Sequence, residues 1–229
     1  MATYTNVQLD GVTNPAFDGG DPTNAVTFTG DPPNGVDISN ATFTNWDSET
    51  DFVVIDGGSQ VASLDITGSS ESDHITGGDD TDTLVVDVGV TIDLSAAADQ
   101  STGDTAVVTG FENVDASGAT ASVDLTGSDG ANVLTGGDGA DTIDGGLGGD
   151  TLDGGAGNDT ITYDAGDVSI DGGDDTDTLV VDVGVTIDLS AASDQSTGDT
   201  AVVTGFENVD ASGATASVDL TGSDGANVL

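Results

Sequence analysis

The 229-residue chain has no lysine, no arginine and no cysteine, and only one histidine. Without a side-chain cation it cannot neutralise phosphate, so nucleic acid is excluded as a direct partner. Anionic membrane surfaces are excluded in the same way unless a divalent cation bridges. No apolar run is long enough to cross a bilayer, so direct membrane insertion is not expected, and no basic-plus-apolar leader opens the chain. The missing cysteines remove disulfides and thiolate chemistry. Proline occurs only at Pro15, Pro22, Pro32 and Pro33. No helical period of apolar residues is present, which leaves an all-β chain.

Acid dominates what is present. There are 43 acidic residues, of which only Glu49, Glu71, Glu112 and Glu207 are not aspartate, and the net charge is −43. Aspartate in this excess points to turns and short-reach metal loops rather than a merely solubilising face. The charge opposes compaction, and an apolar fraction of 35% is low enough to allow a disordered acidic chain. Bound divalent cations would resolve the conflict by tying folding to metal.

Residues 127–180 divide into six nonapeptides: GSDGANVLT, GGDGADTID, GGLGGDTLD, GGAGNDTIT, YDAGDVSID and GGDDTDTLV. Their frame is Gly-Gly-x-Gly-x-Asp-x-U-x, with U apolar at Leu134, Ile143, Leu152, Ile161, Ile170 and Leu179. Glycines allow positive φ and close approach of backbone carbonyls. Carbonyls plus a carboxylate, without thiol or imidazole, form a hard-oxygen site suited to calcium. The x-U-x triplet reads as a short strand with U pointing inward. Two nonapeptides then make one coil of 18 residues, with the turns falling in two rows.

This frame resembles the RTX (repeats-in-toxin) calcium-binding family, whose nonapeptide builds a parallel β-roll; the match is most specific in 136–162. The resemblance implies a secreted protein that folds on meeting calcium outside the cell, exported by a one-step machine that reads a C-terminal signal. Extracellular calcium modules bind at about 0.1–1 mM, so such sites would fill only after export.

The frame places loops 136–141, 154–159 and 172–177 on one row, where Asp141, Asp159 and Asp177 are the expected ligands. On the other row Asn132 faces Asp150, a weaker pair. Beyond it Val168 replaces the aspartate, and Tyr163-Asp164 replaces the paired glycines, which puts that site in doubt. Asp82 has no full-frame neighbour, since the loop one coil later is 95–100, so its site is expected to be partial or empty. The resemblance implies that carbonyls of Gly137, Gly139, Gly155, Gly157 and Gly173 complete the shells. Acidic turns without metal are the alternative.

The rest of the chain is organised around the same roll. Residues 1–52 carry six of the nine aromatics and read as an N-terminal β cap or small β domain. The alternative is that its aromatics contact another subunit or the cell surface. Residues 53–229 read as a β-solenoid, with calcium nonapeptides at 68–85, 127–180 and 222–229. Residues 77–134 recur as 172–229 with one difference, Ala98 against Ser193, which indicates tandem modules and a piece of a longer repeat protein. The segments between read as wider β-helix coils lacking the calcium loop, with Phe111 and Phe206 in the core and flexible insertions at 95–104 and 190–199. His74 is expected to be a solvent-facing strand residue.

No catalytic constellation is visible. His-Glu-x-x-His is absent, and one histidine supports neither a Cys/His nor a Ser/His pair, so the chain is not expected to be an enzyme. The expected function is a calcium-dependent structural protein of the bacterial surface or matrix that self-assembles as a homo-oligomer or polymer, in a layer or filament. An adhesin stalk, or the calcium-folding region of a secreted enzyme, are the alternatives.

Overall fold

A computed structural model of the chain describes residues 81–86, 89–102 and 107–229, and before residue 81 the backbone of six short strands. The described residues form an all-β solenoid. Most strands are three residues long, as the x-U-x triplet requires, because glycine and aspartate on either side do not continue a ladder. Two seven-stranded sheets, parallel but for one edge strand, form the roll. Through the nonapeptides the chain alternates between them: Val133–Thr135, Thr151–Asp153 and Ser169–Asp171 stack in the first, and Thr142–Asp144, Thr160–Thr162 and Thr178–Val180 in the second. Leu134 pairs with Leu152 and Leu152 with Ile170, an 18-residue coil.

The apolar residue of each triplet is the core. Leu134, Ile143, Leu152, Ile161, Ile170 and Leu179 are all 0–1% exposed. Burying each side chain contributes about 1.5–3 kcal/mol, and the core is only two layers of such residues thick.

Between the calcium turns lies a wider coil. Its strands reach three sheets: Thr91–Asp93 lies in the second seven-stranded sheet, Val107–Thr109 in a four-stranded sheet and Asn113–Asp115 in the first. Register here jumps by 30 residues, Leu84 to Val114, rather than 18. Phe111 and Phe206 are buried at equivalent places, as are Val114 and Val209. Within the expected insertions the described residues form hairpins. Ser101–Thr102 returns antiparallel on Thr91–Asp93, and Ser196–Thr197 on Thr186–Asp188. A buried glutamine staples each one. Gln195 Nε2 donates to the carbonyls of Leu189 (3.4 Å) and Phe206 (2.8 Å), and its Oε1 accepts from Phe206 N at 3.0 Å. Gln100 makes the same three bonds to Leu94 and Phe111.

Repeat-equivalent strands lie on different sheets. Thr83–Val85 pairs with Asn113–Asp115 in the first seven-stranded sheet, whereas Thr178–Val180 pairs with Asn208–Asp210 in the second. His74–Thr76 pairs with Val107–Thr109 in the four-stranded sheet, and its equivalent Ser169–Asp171 pairs with Val202–Thr204 in the first seven-stranded one. Each module therefore passes its strands on by one sheet, because the wide coil inserts a third face into a two-faced roll.

Upstream, Ala25–Thr29 pairs in parallel with Phe52–Asp56, and Ala16–Asp18 with Thr42–Thr44. The aromatic side chains of the expected cap, and the side chain of His74, lie outside the described residues.

Candidate metal centre

The turns stack in two rows, and each row is a ladder of buried carboxylates. On one row Val123 N donates to Asp141 Oδ1, Asp141 N to Asp159 Oδ1 and Asp159 N to Asp177 Oδ1, each at 2.8 Å. One oxygen of each aspartate is thus fixed by the backbone of the preceding coil. The other oxygens differ. Asp141 Oδ2 accepts from Gly137 N at 2.7 Å, while Oδ2 of Asp159 and of Asp177 is buried with no hydrogen-bond partner. These aspartates are 0–1% exposed. A buried carboxylate oxygen without a donor is costly, and the chain has no side-chain cation to offer it.

Glycine brings carbonyl oxygens to the same places. At Gly154 an added Cβ would lie 2.4 Å from the carbonyl oxygen of Gly172 and 2.5 Å from Asp159 Oδ2. The bare Cα therefore leaves a cradle where two oxygens from successive coils converge. Frame position two serves a different need: Gly155 and Gly173 have φ of +93° and +98°, which L side chains rarely adopt. The carbonyl of Gly137 accepts from Ala156 N and that of Gly155 from Asp174 N, both at 2.8 Å. Gly157 and Gly173 fit against the carbonyls of Gly139 and Gly155. Converging carbonyls and carboxylates, with orphaned anionic oxygens, fit a hard divalent cation. Among the described residues no three acidic or histidine side chains gather at one point, so any such site draws on one or two carboxylates and on backbone oxygen.

On the other row a residue outside the frame fills the gap. Val168 does leave the frame, and is 58% exposed. The preceding residue, Asp167, takes its place: it is 2% exposed, and its Oδ1 accepts from Asp150 N at 3.2 Å. Asp150 Oδ2 is a further buried oxygen without a partner. The pair beyond Asn132 is therefore Asp150 with Asp167. Tyr163, in place of a glycine, turns into the core and donates from its hydroxyl to Asp199 Oδ2 at 2.7 Å. Asn132 N donates to Asp150 Oδ1 at 2.8 Å, its Oδ1 accepts from Ser128 N at 2.7 Å, and its Nδ2 donates to the Glu112 carbonyl.

Asp82 is fully buried, and its neighbour is not loop 95–100. That segment is taken up by the hairpin, and Glu112 stands in the adjacent coil, with Asp82 N donating to Glu112 Oε2 at 3.0 Å. The equivalent Glu207 accepts from Asp177 N, also at 3.0 Å. Frame matching misses both glutamates because they lie 30 residues on. The available signal is glutamate itself, rare in this chain and present at both repeat-equivalent positions.

Burial, reinforced by neighbouring carboxylates, pushes Asp159 and Asp167 up to about 7 and Asp177 to about 6. Asp150 is raised by burial too, against a lowering by the backbone bond from Asn132. The rows resist carrying bare charge, which a bound cation would reverse.

The family model of the RTX calcium-binding nonapeptide repeat matches the chain in four copies, over residues 65–90 and 126–161. No curated protein matches it. The match takes in Asp82, Asn132, Asp141, Asp150 and Asp159, and stops short of Asp167, Asp177 and both wide-coil glutamates. Paired turn rows, oxygen cradles and the family match lead to one conclusion: residues 65–90 and 126–161 carry RTX calcium-binding nonapeptide repeats, set in a β-roll.

Proposed function

We propose that the protein is a secreted structural component of a bacterial surface or matrix, which calcium folds and which then self-assembles into a layer or filament. Asp141, Asp159 and Asp177 on one row, and Asp150 and Asp167 on the other, hold the ions together with carbonyls of Gly137, Gly139 and Gly155. Calcium supplies the positive charge the sequence lacks. The chain's own residues fix each carboxylate through a backbone N–H, bring carbonyls up against bare Cα atoms and exclude water with the Leu/Ile core.

The observation that carries the assembly reading is the near-identical module, repeated 95 residues apart, whose strands extend shared parallel sheets. A unit that adds to the ladder of its predecessor is suited to building length. Chains without cations can associate only through calcium bridges, apolar contacts or strand addition. No catalytic role belongs to this reading, since the buried carboxylates are committed to the turn rows. Light scattering of the full chain should show large particles in millimolar calcium that dissolve on chelation. A chain that folds in calcium yet stays monomeric at every concentration contradicts the reading.

A further inference from the structure

We propose that Asp177 and Glu207 form an additional calcium site, outside the nonapeptide frame, where the roll meets the wide coil. The proposal rests on the calcium reading of the turn rows. Loop 172–177 is the last full turn of its row, and the coil that follows it in space carries no Gly-Gly-x-Gly-x-Asp. Its turn at Gly205-Phe206-Glu207 nevertheless reproduces the required oxygens. A Cβ on Gly172 would lie 2.5 Å from the Gly205 carbonyl oxygen and 2.9 Å from Asp177 Oδ2. At Gly154 the same point lies between the Gly172 carbonyl and Asp159 Oδ2. Gly205 thus presents its carbonyl where the first glycine of a next nonapeptide would.

Glu207 plays the part of the missing aspartate. Its Oε2 accepts Asp177 N at 3.0 Å, as Asp177 Oδ1 accepts Asp159 N at 2.8 Å. The wide coil sets its backbone farther along the chain, and the extra methylene of glutamate carries the carboxylate to the same rung. Asp177 supplies the independent indication of a ligand. It is 0% exposed, its Oδ2 has no hydrogen-bond partner, and that atom faces the cradle beside Gly172. Two carboxylates and a carbonyl converging at one rung are hard-oxygen chemistry for a divalent cation. The first module repeats the bond between Glu112 and Asp82 N at the same distance, so the device belongs to the module and places an ion at each joint.

Calcium bound per chain should be counted by native mass spectrometry for the full chain and for Glu207→Gln. Glutamine keeps an oxygen acceptor for Asp177 N, so the rung survives while the charge is lost. The variant should bind one calcium fewer, with the remainder unchanged. Equal numbers in the two proteins overturn the proposal and leave the turn-row reading intact; no calcium on either protein overturns both. If the variant does not fold, anomalous diffraction of the parent protein grown in calcium decides. A peak between Asp177 and Glu207 is expected, and its absence where Asp141 and Asp159 hold one is the contrary result.

Discussion

Burial in the turn rows makes Asp159, Asp167 and Asp177 harder to ionise than free aspartates. Asp159 and Asp167 titrate near 7 and Asp177 near 6, against 3.8 for a free side chain, chiefly because burial disfavours the anion. Calcium-free folded chains therefore bind protons that unfolded chains release. Linkage makes the calcium-free fold most stable below about pH 4 and weakens it as pH rises through 6 to 7. Far-UV circular dichroism in chelator should show structure gained on acidifying from pH 8 to pH 5. A transition centred near pH 4, where exposed aspartates titrate, would contradict this. Asp141, Asp159, Asp150 and Asp177 were legible because each occupies frame position six. Asp167 was not, since it sits one place early, and only the backbone shows that Val168 turns outward to let it in. Glu112 and Glu207 escaped for another reason: sequence spacing cannot measure a coil whose length changes from 18 to 30 residues.

Each hairpin of the wide coil is tied to the core by a buried glutamine, with an aspartate beside it, Asp99 or Asp194, accepting from backbone N–H groups. Gln195 satisfies the N–H and carbonyl of Phe206 and reaches the carbonyl of Leu189, all inside the fold. Gln195→Ala strands the Phe206 groups, at about 1–3 kcal/mol for each buried group left unpaired. Urea unfolding in saturating calcium should register a loss of about 3 kcal/mol by the same accounting, with faster amide exchange at Phe206. A loss below about 0.5 kcal/mol, the range of an ordinary surface substitution, would show that the staple is incidental. The short strands and their inward Leu or Ile could be read directly from the nonapeptide period. The hairpins could not. A glutamine in a stretch of serine, aspartate and glycine carries no local signal, and its value comes from partners 6 and 11 residues away. The repeat adds no contrast, because nearly every residue of the module is copied with it.

One sheet of each roll continues into the next module while another ends, so the tandem array is a relay rather than a plain stack. The roll itself was legible from its period. The relay was not, because it depends on the wide coil using three faces, a count no local pattern contains. What holds all of this together is charge: 43 acids and no side-chain cation. If cations at defined oxygen cradles are the agent, general screening will not replace them. One molar sodium chloride shortens the Debye length to about 3 Å yet offers monovalent ions to sites built for a divalent one. The decisive measurement is small-angle X-ray scattering of the chain at pH 7.5 in chelator, in chelator with 1 M sodium chloride, and in 5 mM calcium. The account predicts an expanded coil, with a radius of gyration near the roughly 50 Å of an unfolded chain of this length, in the first two and a compact particle only in calcium. A compact particle in chelator, or one restored by salt alone, would contradict it.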